Sequence, residues 1–487
     1  MELGHILQAL NEPAAPAVPR QQRLYRLLKE AILSGTLLPG NALPASRLLA
    51  SEYGMARNSV LYAYQQLIAE GFLTADKRGT RVAALPALAR TPPTLAAVNA
   101  AEMPFLSRRA SGLLLRRGES LLPFAPGVPD LNAFPWAVWA RYLQNAWGEV
   151  SARQLAYATP GGEPLLRQAV ATFLRARRGV VCTAEQVFIV GGAQMALDAC
   201  ARLLADPGET AWLENPCYPA ARTAMRAAGL NVVNVPVDRS GMAADEALWQ
   251  SQPPKLVFLT PSHQYPLGAV LSLERRLEFL RRIRAGEGWI IEDDYDSEFN
   301  HARPGYRPLP AIQGLVAEAP VIYLGTFSKM LYPGLRLAYM VVPRWAAKGL
   351  GESIESLYRS GQAVEQRALA RFLESGRLTR HLRTMATVYR KRQAVLRAAL
   401  QEHFGANVEI LGGDAGLHLT LLLPDSPPDT DLIRQAEELG VTARALSEYD
   451  EPVAGRARKN GLVLGYGMVE EARIGELVAR LAASSHR

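Results

Sequence analysis

Cysteine is scarce in this sequence: Cys182, Cys200 and Cys217 are the only three in 487 residues, an odd number with no C-x-x-C spacing and no histidine beside them. That excludes a disulfide framework and gives no zinc-ligand pattern, so the three read as small core residues. No run of about 18 apolar residues is available to span a bilayer. The start, MELGHILQALNEPAAPAVPR, also lacks the basic and apolar blocks of a secretory signal. A cytoplasmic protein with no membrane partner is expected. With 49% hydrophobic residues the chain can bury sizeable cores, and its length suggests about three domains at roughly 150 residues each.

Acid is the sparse charge at one end. Between residues 20 and 90 there are ten bases against four acids, a surplus of six in a chain whose net charge is +8. A basic N-terminal module on a nearly balanced body is the electrostatic footprint expected of nucleic-acid binding. The pattern inside it agrees. QQRLYRLLKEAILSG places Leu24, Leu27, Leu28 and Ile32 at helical spacing before Gly35. LLPGNALPAS then breaks the chain, and a short second helix, SRLLASEY, starts near Ser46. Gly54 turns into a third, ARNSVLYAYQQLIAEG, with Val60, Tyr64, Leu67 and Ile68 expected inward and Arg57, Asn58 and Ser59 exposed at its start. This is helix-turn-helix grammar. FLTADKRGTRVAAL follows as two short strands around a basic turn, Lys77, Arg78 and Gly79.

LPASRLLASEYGMARNSVLYAYQQLIAEGFL closely resembles the winged helix of the GntR superfamily, with L-P-x-S-R, R-N-(S/T)-V and A-Y-x-x-L-x-x-E-G-(F/L) all present. The resemblance implies that Arg47 and Arg57 contact double-stranded operator DNA, with Asn58, Ser59, Arg78 and Gly79 beside them. Arginine can read guanine bidentately and asparagine can read adenine, whereas Lys77 and Arg78 suit phosphates. From Leu85 to about Pro123 prolines, alanines and the pairs Arg108–Arg109 and Arg116–Arg117 dominate without a sustained period. This reads as a linker.

Beyond it, QVFIVGG, TAWLENP, LNVVNVPV, KLVFLTPS, GWIIEDDY, APVIYLGTF and RLAYMVVP alternate with helical stretches. They call for an α/β domain with a largely parallel sheet and a ligand site at the strand ends. Those ends carry the chemistry. Gly191, Gly192, Ala193 and Gln194 offer amides at a strand-to-helix junction, where a phosphate could be held. Asp293 and Tyr295 end another strand, Asp293 lying next to Asp294, which is the alternative choice of acid. Thr326, Ser328, Lys329 and Arg336 end a third, in GTFSKMLYPGLRLAYM. A phosphate cradle, a carboxylate for a cationic ring nitrogen, a phenol for a ring oxygen and an amine are jointly what pyridoxal 5′-phosphate requires.

YATPGGEPLLRQAVATFLRARRG, ENPCYPAAR, TPSHQYPLG and GTFSKMLYPGLRLAYM resemble the versions found in the MocR family, in which a fold type I aminotransferase-like domain follows a GntR winged helix. The fold class implied is α/β: a winged helix at 20–84, a linker at 85–122, and a pyridoxal-phosphate-binding and dimerisation domain at 123–487, with a large α/β and a small C-terminal α+β part. The resemblance implies Lys329 as the Schiff-base lysine, Asp293 on the pyridinium nitrogen, Tyr295 on the ring hydroxyl and Tyr218 stacked on the ring, although Tyr218 also suits a core aromatic. Arg336, Thr326, Ser328 and the amides of Ala193 and Gln194 would hold the phosphate. His263 and Gln264 fall in the family's pocket-lining loop, where Tyr265 stands in the place that asparagine takes in many aminotransferases. Many chains of the family carry an arginine in a segment resembling S-R-Y. Here RALSEYDEP puts Glu448 in that slot and Arg444 four residues earlier, with Arg456 and Arg458 as further candidates for a carboxylate clamp.

The function implied is a homodimeric, cofactor-dependent transcriptional regulator that senses an amino compound, or the cofactor itself, through Lys329, with RNA polymerase as a possible further partner. The alternative is a working aminotransferase with an accessory DNA-binding module.

Overall fold

The protein is described by a computed structural model. It covers residues 18–84, 122–156, 159–299, 309–359, 361–405, 408–453 and 455–484, together with Leu7 and Leu10. The chain divides into two units, Met1–Phe105 and Leu106–Arg487. The expected linker lies outside the described residues except for Leu122.

In the first unit, α1 (Arg20–Leu33), α2 (Ser46–Glu52) and α3 (Arg57–Ala69) precede an antiparallel pair, β1 (Leu73–Asp76) and β2 (Gly79–Val82). Their apolar stripes meet in one small core of Leu24, Leu28, Leu49, Val60, Ala63, Tyr64, Leu67 and Leu73. Gly54 and Gly71 take positive φ, +58° and +79°, where each turn reverses the chain. Tyr64 donates its hydroxyl to the Pro44 carbonyl at 3.0 Å, tying α3 to the turn before α2. Ile68 departs from the expectation, being 37% exposed. Ala63 fills the inward face, and Ile68 lies at the margin of the stripe.

The second unit is built on an eight-stranded sheet: β3 (Val187–Val190), β4 (Thr210–Asn215), β5 (Asn231–Asp238), β6 (Gly241–Met242), β7 (Leu256–Leu259), β8 (Trp289–Asp294), β9 (Val321–Thr326) and β10 (Ala338–Val341). The spatial order is β3-β10-β9-β8-β7-β4-β5-β6. Each of the seven apolar runs read from the sequence is one of these strands. Six of them are buried along almost their whole length because both faces are covered, whereas β5, next to the edge, is half-buried or exposed for most of its length. Leu213, Phe258, Ile291 and Ile322 enter one core. Their neighbours Trp212, Val257, Ile290 and Val321 enter another on the opposite face. The sheet is largely parallel, with two reversals. β10 runs antiparallel to both β3 and β9, and β6 closes an edge hairpin with β5. In the β9–β10 pair Gly325 lies opposite Tyr339, and a Cβ on Gly325 would come within 2.3 Å of that ring. The glycine of GTFSK is therefore required by packing.

After the long helix Arg377–Phe404, a smaller antiparallel sheet follows: β11 (Ile410–Leu411), β12 (His418–Leu422), β13 (Arg444–Ala445) and β14 (Gly461–Gly465), in the order β11-β12-β14-β13. All three cysteines are buried and unpaired, as the sequence suggested.

Candidate cofactor and DNA sites

The C-terminal ends of the parallel strands converge on a cavity of about 630 Å³, which residues from β12 and β13 also line. β9 breaks after Thr326 and delivers Ser328 and Lys329 into it. Lys329 is half-buried, and its Nζ donates to the Gly127 carbonyl at 2.5 Å. Gly127 leaves room for the amine, since a Cβ there would lie 2.9 Å from Nζ. Thr326 Oγ1 donates to Ser328 Oγ at 3.0 Å and accepts from the Ser328 amide at 3.1 Å, which fixes both hydroxyls on the cavity wall. Arg336 adopts a left-handed backbone, φ +51°, and donates to the Gly191 carbonyl at 3.2 Å. Gly192, at φ +105°, comes just before the helix Ala193–Leu203, and a Cβ on it would meet the Arg336 guanidinium at 2.8 Å. A guanidinium, two hydroxyls and the free amides of a helix start thus surround one glycine-lined recess, the chemistry of a phosphate site.

β8 delivers the acids. Asp293 and Asp294 are both buried, and their side chains part company. Asp294 accepts from Arg178 Nε and from the Tyr323 hydroxyl, each at 2.6 Å, and is absent from the cavity wall. Asp293 lines the cavity. Burial, then the neighbouring Asp294 and Asp296, push its carboxyl up to about 7, with Lys329 opposing them. A buried carboxyl in that condition calls for a cationic partner. The same region holds Glu214, raised to about 7 by burial, and Glu298, raised to about 8 by burial and Asp294.

Tyr295 also lines the cavity, donating its hydroxyl to the His263 carbonyl at 2.9 Å. Tyr218 is there too, edge-on to Tyr265 with ring centroids 5.8 Å apart. The loop that holds His263 and Gln264 lines the cavity through Thr260 and Tyr265, while these two side chains stand behind the wall. His263 is buried behind the wall with Nδ1 3.3 Å from the Asp296 carboxylate, and Gln264 donates to the Pro216 and Tyr265 carbonyls at 2.8 Å. The sequence reading missed Gly127, Asp296, His418 and Tyr449, which also line the cavity. Burial holds the His418 imidazole well below the ordinary histidine range.

In the first unit Arg47 on α2 and Arg57 and Asn58 at the start of α3 are exposed, with Ser59 half-buried beside them. Lys77, Arg78 and Gly79 are exposed at the β1–β2 turn, where Asp76 accepts from the Arg78 amide at 2.7 Å. Among the described residues the side chains of Arg47, Arg57 and Lys77 make no hydrogen bond or ion pair, so these cations remain available to phosphates and base edges.

Residues 137–458 match the family described as aminotransferase class I and II, and residues 20–82 match the bacterial regulatory proteins of the gntR family. The chain is 37% identical over 460 residues to the probable rhizopine catabolism regulatory protein MocR of Rhizobium meliloti, covering 93% of this chain and 91% of that one. The chain is a member of the MocR family of transcriptional regulators. It is also 30% identical to the pyridoxine biosynthesis transcriptional regulator PdxR of Corynebacterium glutamicum, over 97% of each chain. Among solved structures, the α-aminoadipate aminotransferase LysN of Thermus thermophilus, complexed with N-(5′-phosphopyridoxyl)-L-leucine, aligns with a TM-score of 0.66 at 28% identity, over 75% of this chain and 92% of that one. The cavity residues fit the pyridoxal 5′-phosphate of this fold: phosphate donors around Gly192 and Arg336, a raised carboxyl at Asp293 and an amine at Lys329 line one cavity.

Proposed function

We propose that this MocR-type regulator reads an amino compound, or pyridoxal 5′-phosphate itself, in the strand-end cavity and answers by changing its affinity for an operator. The observation that carries the reading is the conjunction in one chain of exposed basic side chains on α2, α3 and the β1–β2 turn, Arg47, Arg57 and Lys77, unpaired among the described residues, and a cavity holding Lys329, Asp293, Tyr295 and Arg336 together. When bound, pyridoxal 5′-phosphate supplies a carbonyl that exchanges a lysine for an incoming amine. Arg336, Thr326, Ser328 and the amides of Ala193 and Gln194 hold its phosphate. Asp293 would pair with the ring nitrogen. Tyr295, whose hydroxyl now donates to the His263 carbonyl at 2.9 Å, would hold the ring oxygen, and Tyr218 would pack against the ring. Lys329, whose Nζ donates to the Gly127 carbonyl at 2.5 Å, would supply the amine for the cofactor's carbonyl.

A ligand can shift an equilibrium only by its differential affinity for two states. The two occupants of the cofactor, lysine and effector, provide that difference. Two winged helices, borne by a homodimer assembled through residues 123–487, address repeated or two-fold half-sites in the cytoplasm, with RNA polymerase as a further partner. The rival reading, turnover of amino acids, is favoured by the presence together of Lys329, Asp293 and Tyr295 in one cavity. Adding the cofactor and a panel of amines while following DNA binding and α-keto acid formation separates the two. Ligand-dependent operator affinity without sustained keto acid is expected. Sustained keto acid without specific DNA binding contradicts the proposal.

A further inference from the structure

Four tyrosines lie in the first unit, Tyr25, Tyr53, Tyr62 and Tyr64. Three are tied into it. Tyr25 donates its hydroxyl to Glu70 at 2.7 Å, Tyr64 is buried and donates to the Pro44 carbonyl, and Tyr53 packs against the small core. Tyr62 differs from them: it is 40% exposed, and among the described residues its hydroxyl makes no hydrogen bond. Its ring is the aromatic surface that α3 turns to solvent.

The place of Tyr62 on α3 indicates what meets that ring. Asn58, Tyr62, Gln65 and Ala69 are all exposed and follow one another at helical spacing, so they form one stripe, opposite the core stripe of Val60, Ala63, Tyr64 and Leu67. Helical side chains lean toward the N-terminus, which sets the Tyr62 ring over the turn that carries Asn58. Arg57 stands beside the stripe at its start, and α3 contains no acidic residue to repel a phosphate backbone. The stripe thus offers an amide, an aromatic ring and a second amide. Asparagine and glutamine each match the N6 and N7 edge of adenine, and the thymine paired with an adenine presents its 5-methyl group in the same major groove. An apolar ring between two amides is the complement of such a methyl.

We propose that Tyr62 determines part of the operator sequence: its ring packs against the 5-methyl group of a thymine in the major groove, within about two base pairs of the pair that Asn58 faces. The separation follows from a rise of about 6 Å over four helical residues against about 3.4 Å per base pair. This concerns the DNA contact alone and is independent of the cavity reading. A phenol that bonded a phosphate or a base edge would lose its role with its oxygen, whereas a ring on a methyl group would not.

The test selects duplexes of random sequence with the full-length protein, with and without pyridoxal 5′-phosphate. Each thymine of the selected consensus is then replaced in turn by deoxyuridine, which pairs identically and lacks the methyl. At one thymine the replacement is expected to weaken binding by the parent about fourfold, the scale of one methyl group withdrawn from water. Tyr62→Phe is expected to keep that penalty, and Tyr62→Ala to bind the two duplexes equally. No methyl-sensitive thymine in the parent, a penalty that survives Tyr62→Ala, or one that is lost in Tyr62→Phe overturns the proposal and leaves the cavity reading intact. Failure of the parent to enrich any sequence overturns the operator contact and this proposal with it.

Discussion

The two units keep their functional groups in opposite physical states. The first holds Arg47, Arg57, Lys77 and Arg78 exposed over a small apolar core, a surface whose attraction for DNA acts through water and is screened by salt. The second holds Asp293, Asp294, Asp296, Glu214 and Glu292 buried at strand ends, where desolvation magnifies each charge. One unit is adapted to a polyanion met on its surface, the other to a small molecule that replaces water inside it. The difference teaches where each kind of perturbation should act: geometry and protonation decide the cavity, whereas ionic strength decides the helix.

Removing the amine is the severest test of that division. Lys329→Ala is expected to abolish the cofactor's visible protein-linked band while leaving operator binding by the cofactor-free protein unchanged; a retained band refutes the assignment of Lys329. Next in size is Arg57→Ala. An arginine that reads a base edge contributes about 1–3 kcal/mol, so operator affinity should fall by roughly five- to 150-fold with cofactor uptake unaltered. Equal loss on operator and random DNA would reassign Arg57 to the phosphates.

A subtler contrast lies in pH. Burial raises the Asp293 carboxyl from its ordinary value near 3.8 to about 7, so between those limits the folded chain binds a proton that the unfolded chain has released. Its contribution to stability is present at low pH and is lost as pH rises through about 7. The melting temperature of the cofactor-free protein should therefore fall more steeply from pH 5 to 7.5 than that of Asp293→Asn, and parallel profiles would sink this assignment. Smallest is Lys77→Ala in the wing, expected to weaken operator and random DNA alike and to lower the salt slope of binding by about one. A sequence-dependent loss there would make the wing a reader.

Much of this was legible because the relevant signals are local. Seven of the eight strands of the large sheet are apolar-rich runs, and the acids, hydroxyls and Lys329 lie at or just beyond the ends of β8 and β9. The reversal of β10 was not legible, since it depends on the left-handed turn at Arg336 and the fit of Tyr339 over Gly325. Asp293 and Asp294 are neighbours in sequence, and only the remote Arg178 and Tyr323, which claim Asp294, tell them apart. His418 and Tyr449 reach the cavity from the small sheet and the segment after it, more than 80 residues beyond Lys329. No spacing rule anticipates such a convergence.

The central claim is that occupancy of the cavity governs the winged helix. Its most direct test is fluorescence anisotropy of a labelled operator from upstream of the protein's own gene, with and without pyridoxal 5′-phosphate and effector amines, for the parent protein and for Lys329→Ala. The account predicts that cofactor or amine shifts the parent's affinity severalfold and leaves Lys329→Ala unmoved. Identical parent affinities under every condition would contradict it.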